Sequence, residues 1–129
     1  MQRTEAFQTV QSILSSKREI NFAYIFGSFV ESEFYSDVDV AVHVDSKQMS
    51  ISGFEYALRL GAELERAIRI PVDLILMNEA PAHLIHQISK GNLLVNRDDD
   101  FRTDFLCASW KRYFDIQPKR LQAYVDMLS

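Results

Sequence analysis

The chain has 129 residues, with 14 Lys+Arg against 18 Asp+Glu and a formal net charge of −4. Hydrophobic residues make up 47% and charged residues 25%, which argues against disorder and for one compact domain, 1–129. The longest apolar run, Phe22–Phe26, falls far short of the ~20 residues a membrane helix needs. Mild acidity argues against coating nucleic acid through bulk charge, so no direct DNA binding is expected. Cys107 is the only cysteine, which rules out an internal disulfide and a multi-cysteine zinc cage. Met1–Glu5 has no apolar core of the signal-peptide kind, so a reducing, cytoplasmic setting is expected.

Helical and strand patterns then alternate along the chain. Thr4 is placed to cap a first helix, with Phe7, Val10, Ile13 and Leu14 at helical spacing. Phe22–Phe26 reads as a short buried strand ending at Gly27. In residues 38–44, Val38, Val40, Val42 and Val44 take one face of a strand and Asp39, Ala41 and His43 the other. Phe54, Ala57, Leu58, Gly61, Leu64 and Ile68 mark a second helix, capped by Ser50 or Ser52. Val72–Met77 reads as a strand. Asn78 is expected to cap a third helix with Pro81 in its first turn, Gly91 ends it, and Leu93–Val95 adds an edge strand. Residues 99–129 read as helical, aromatic over 99–115 and interrupted at Pro118, with Leu121, Tyr124, Val125 and Leu128 at helical spacing beyond. The expected fold is α/β (α+β): a small mixed sheet flanked by helices over 1–98, with a C-terminal helical tail over 99–129.

The stretch from Gly27 to Asp39 carries the chemistry. A strand ends in Gly27-Ser28, a polar and aromatic spacer follows, and the next strand opens with Asp37-x-Asp39. Side chains at i and i+2 of a strand project together, roughly 7 Å apart. Two ionised carboxylates there repel unless a cation lies between them, and an all-oxygen site suits Mg²⁺ or Mn²⁺. A third acid, Asp73, sits in an otherwise apolar strand and needs a reason to be there. Beside the 38–44 strand, it would complete a triad for in-line displacement at phosphorus. Gly27 lets backbone approach a phosphate closely, and Ser28 can donate to its oxygens.

With these residues the sequence resembles the minimal nucleotidyltransferases (MNT) of the DNA polymerase β-like superfamily. The likeness runs from about Ala23 to Asn96. It implies a polymerase β-like fold and transfer of a nucleoside monophosphate from ATP with Mg²⁺. It further implies that Asp37, Asp39 and Asp73 are catalytic and metal-binding, with Gly27 and Ser28 holding the triphosphate. Family members often carry Ala-Arg-Gly in a longer spacer; here the spacer is Phe29–Ser36 and reads Val30-Glu31-Ser32 at that place. Small MNT proteins are often antitoxins of HEPN-domain toxins, so the resemblance implies AMP transfer to a tyrosine of such a partner. Neutralisation by binding alone, and transfer to a small molecule, are the alternatives. Homo-oligomerisation stays open.

Other candidates read more plainly. His43 shares the strand face of Asp39 and is expected as a neighbour of the site or a half-exposed residue. His83 and His86 lie three apart, with no acid at ligand spacing. Cys107 is expected in the core. Lys111-Arg112 and Lys119-Arg120 read as a solvated face, and Asp98–Asp100 as a helix N-terminal charge cluster. Tyr24 and Tyr35 flank the proposed site. The rings of 99–115 either face a partner or pack on the sheet.

Overall fold

The alternation at 38–44 dictates a strand with two unlike faces. The computed structural model describes residues 2–128 (115–126 and 128 by backbone alone) and places that strand inside a four-stranded sheet. The elements are α1 (Arg3–Ser15), β1 (Ile20–Phe26), α2 (Ser28–Glu31), β2 (Val38–Val44), α3 (Gly53–Ile68), β3 (Val72–Leu76), α4 (Ala82–Ile88), β4 (Asn92–Asn96) and α5 (Asp99–Leu128). Short 3-10 turns occupy Ser46–Gln48 and Met77–Glu79. The strand order is β3-β2-β1-β4. β1 is antiparallel to both β2 and β4, whereas β2 and β3 run parallel. A parallel pair needs a crossover, and α3 supplies it.

Val38, Val40, Val42 and Val44 are buried against Ala6, Val10 and Leu14 of α1 and Leu60, Leu64 and Ile68 of α3. On the opposite face, Ala41 joins Phe22, Tyr24 and Phe26 of β1, Ile85 and Ile88 of α4, and Leu106 of α5. β1 is therefore covered on both sides, which is why Phe22–Phe26 is apolar throughout rather than alternating. Each such large side chain contributes about 1.5–3 kcal/mol of burial. Among the described residues, no helix is long and apolar enough to cross a membrane.

Several expectations are corrected. α1 begins one residue ahead of Thr4: Gln2 takes the capping position, and its carbonyl accepts the Ala6 N–H at 2.9 Å. Ser52, not Ser50, caps α3, its hydroxyl accepting the Glu55 N–H at 3.1 Å. Asn78 caps nothing. Its Oδ1 accepts the Val44 N–H at 3.0 Å and its Nδ2 donates to the Val44 carbonyl at 2.8 Å, closing the end of β2, so α4 starts later, behind Pro81. Phe54 and Leu58 are 76% and 58% exposed. The inward stripe of α3 is the narrower Leu60, Gly61, Leu64 and Ile68. Cys107 lies on the exposed side of α5 rather than in the core. α5 runs through Pro118, where a break was expected. The stripe Leu121, Tyr124, Val125 and Leu128 lies outside the described side chains.

Candidate active site

β1 ends at Phe26, and the backbone then turns sharply. Gly27 has φ +80°, a region L side chains rarely adopt, and a Cβ placed on it would run into the Asp39 carboxylate. The Gly27 carbonyl accepts the N–H groups of Val30 and Glu31 at 3.0 and 3.1 Å. This closes a single helical turn, α2, of which Ser28 is the first residue. Periodicity reveals no helix here, because one turn is too short to show a period. Phe29 anchors the turn in the core, edge-on to Tyr35 at 4.8 Å between ring centroids.

Asp39 lies between two strands. It is opposite Phe26 of β1 and in register with Asp73 of β3. Residues in register on neighbouring strands project from the same face. Asp37 stands two residues earlier, just ahead of β2. The Asp39 carboxyl is held above the usual carboxylate range, first by burial, then by the charge of Asp37 and then by that of Asp73. Asp37 and Asp73 thus both act on Asp39 at the start of β2, where Asp39 lies beside Gly27.

The donor set is carboxylate oxygen alone, which suits a hard divalent cation. The Asp39 carboxylate packs against Gly27, where any side chain would displace it. Among the described residues, no three acids, histidines or cysteines are gathered closely enough to cage an ion by themselves. Mg²⁺ is ordinarily held by one or two carboxylates together with substrate phosphate oxygens, so an open arrangement of acids fits it.

The remaining candidates fall elsewhere. His43 is on the Asp39 face but buried, stacked on Phe22 at 4.9 Å and edge-on to Phe101 and Phe105. Its Nδ1 lies 3.2 Å from the Asn21 amide nitrogen and accepts from it. Burial lowers its pKa against the opposing pull of Asp45, which favours the neutral ring. Tyr24 is also buried, and its hydroxyl accepts from Arg102 at 2.7 Å. His83 is exposed, whereas His86 stacks on Tyr113 at 4.6 Å with Trp110 and Phe114 edge-on, so the two histidines do not act together. Asp98 caps α5 by accepting the Phe101 N–H at 3.1 Å. Lys111 and Arg112 are exposed; the side chains of Lys119 and Arg120 lie outside the described set. One residue that sequence reasoning missed reaches the site's loop from far away. Arg3 donates to the Ser32 carbonyl at 2.6 Å, across a separation in sequence that no local pattern reveals.

Comparisons with known proteins bear on the fold. The family model described as polymerase beta, nucleotidyltransferase, matches residues 8–100. Comparison with curated protein sequences finds no match. Among solved structures, one similar chain is from a complex of tri-AMPylated Shewanella oneidensis HEPN toxin with MNT antitoxin. It is 20% identical, with a TM-score of 0.71 and 99% of this chain and 100% of that chain covered. A chain of the toxin-antitoxin MntA-HepT is 19% identical, with a TM-score of 0.69 over 98% of this chain and 99% of that one. A chain of a toxin-antitoxin structure with AMP-PNP is 18% identical, with a TM-score of 0.69 over 100% of both. With the family model covering most of its length and the mixed sheet carrying its acids in register, this chain belongs to the polymerase beta nucleotidyltransferase family.

Proposed function

We propose that this protein transfers AMP from ATP to a hydroxyl of a partner protein, a tyrosine of a HEPN-domain toxin, and so acts as its antitoxin. The observation that supports the proposal is that Asp39, which lies against Gly27, stands in register with Asp73 and feels the charges of both Asp37 and Asp73. The acceptor oxygen attacks the α-phosphorus, a new P–O bond forms, and the bond to the β-phosphate oxygen breaks. Pyrophosphate leaves with the electron pair, and the hydroxyl proton passes to a carboxylate, for which Asp73 is the most exposed of the three. Gly27 lets the polyphosphate approach the backbone, and Ser28 donates to its oxygens. Asp37, Asp39 and Asp73 would hold Mg²⁺ or Mn²⁺, which when bound offsets phosphate charge and polarises the reacting oxygens. The likeness to MNT chains crystallised with HEPN toxins supports the partner, and the AMP-PNP complex supports the nucleotide. The setting this implies is cytoplasmic.

The test is transfer of label from α-labelled ATP with Mg²⁺ to the protein encoded beside this one, expected to be a HEPN-domain protein. Label on the partner that disappears with Asp37→Asn/Asp39→Asn supports the reading. An unlabelled partner, with both proteins folded, counts against it. A second reading is favoured by the spacer, where Glu31 and Glu33 are exposed in the segment that would flank the phosphates. Under it, the protein neutralises its partner by binding alone, and the doubly substituted variant neutralises fully.

A further inference from the structure

Arg3 is the first residue of α1, the end of a helix where a cation is disfavoured by the macrodipole. The dipole therefore gives no reason for an arginine here. Its contacts do. One guanidinium nitrogen donates to the Ser32 carbonyl at 2.6 Å. The guanidinium carbon lies 4.9 Å from the centroid of the Tyr35 ring and 5.6 Å from that of Phe29. The same two rings meet edge-on at 4.8 Å. Phe29 sits inside the turn that Ser28 opens, Ser32 ends that turn, and Tyr35 precedes Asp37 by two residues. One side chain thus fastens the start, the middle and the end of the segment joining the phosphate-side turn to the first acid. Its Nε is buried and has no hydrogen-bond partner among the described residues, a cost set against these contacts.

We propose that Arg3 is a positioning residue of the active site, holding the 28–37 loop so that Ser28 and Asp37 stay set against Asp39. The inference rests on the nucleotidyl-transfer reading above. Arg3 acts through Ser32, Phe29 and Tyr35. The planar guanidinium can face both rings while donating to the carbonyl, whereas a lysine ammonium can satisfy only part of this set.

The test compares Arg3→Ala and Arg3→Lys in the full chain by transfer kinetics and by hydrogen–deuterium exchange. Losing a charged hydrogen bond and two ring contacts is expected to raise KM for ATP about tenfold in Arg3→Ala, with a smaller effect on kcat. Arg3→Lys should fall between this variant and the natural protein. Exchange should quicken in the peptide covering 28–37 and stay unchanged in the one covering 60–68 of α3. Unchanged KM and kcat in Arg3→Ala would overturn the proposal, and so would an equal loss of protection in both peptides. Should the natural protein transfer no AMP at all, the nucleotidyl-transfer reading itself has failed. Exchange then decides the clamp alone: quickening confined to 28–37 upholds it, and unchanged exchange refutes it.

Discussion

Asp39 of β2 and Asp73 of β3 stand in register across a parallel strand pair, and every charge found to shift Asp39 is negative. A carboxyl raised by burial and by like charges is one whose ionised form costs the fold free energy at neutral pH. Such an arrangement is poor for stability, a cost that the proposed cation binding would offset.

The first prediction follows from that conflict. Asp39→Asn keeps the side chain's shape while removing one charge from the repelling group. AMP transfer should fall by about a hundredfold or more, since charge stabilisation worth several kcal/mol is lost. Thermal unfolding near neutral pH without added divalent ion should occur at or above the natural temperature. Transfer kinetics and calorimetry check the two halves. A clear drop in unfolding temperature would mean that the carboxylate is structural.

Gly27→Ala makes the complementary case. The substitution forces an L residue to φ +80° and drives its Cβ against the Asp39 carboxylate. Positive-φ strain costs on the order of 1–3 kcal/mol, and the overlap adds to it. The variant should unfold at lower temperature and lose transfer, because relief of the clash must move either the turn or Asp39. Serine in the same place should behave like alanine. A fully active Gly27→Ala protein would show that the turn does not set the geometry.

Much of this site is legible in one sequence because its parts are local. Gly27-Ser28 ends a run of apolar residues, and the alternation at 38–44 is enough to assign both faces of that strand. The pairing of Asp39 with Asp73 is less direct, since it requires the 38–44 and 72–76 strands to be parallel neighbours in one register. What stayed hidden was set by tertiary contact. Asn78 carries a helix-capping side chain, yet Val44 offers it a main-chain donor and acceptor at once. Phe54 and Leu58 follow the helical period that Gly61, Leu64 and Ile68 share, but only the later part of that stripe, joined by Leu60, is buried. The reach of Arg3 to Ser32 leaves no trace in spacing.

The Asn78 bonds yield a stability prediction independent of catalysis. Asn78→Ala leaves the N–H and carbonyl of Val44 without their present partners at the end of a buried strand. Each orphaned buried group costs about 1–3 kcal/mol. Chemical denaturation should show a lower midpoint with an unchanged slope, while KM for ATP stays as in the natural protein. A shift in KM would mean that this end of β2 communicates with the acids at the other.

His43 supplies the pH dependence. Its ring is enclosed by Phe22, Phe101 and Phe105, and its Nδ1 accepts from Asn21, so the folded protein favours the neutral form. Burial lowers its pKa from the ordinary 6.5, with Asp45 pulling the other way. Between 6.5 and the lower folded value, the unfolded chain binds the proton and the folded one does not. Stability therefore rises with pH through that window, by at most about 1.4 kcal/mol per pH unit, and levels off above it. The fall in unfolding temperature between about pH 7.5 and about pH 5.5 should be steeper for the natural protein than for His43→Gln or His43→Phe. The glutamine variant keeps a polar partner for Asn21, and the phenylalanine variant keeps the ring packing. Identical slopes in all three would remove His43 as the cause and leave the acid dependence to the carboxylates.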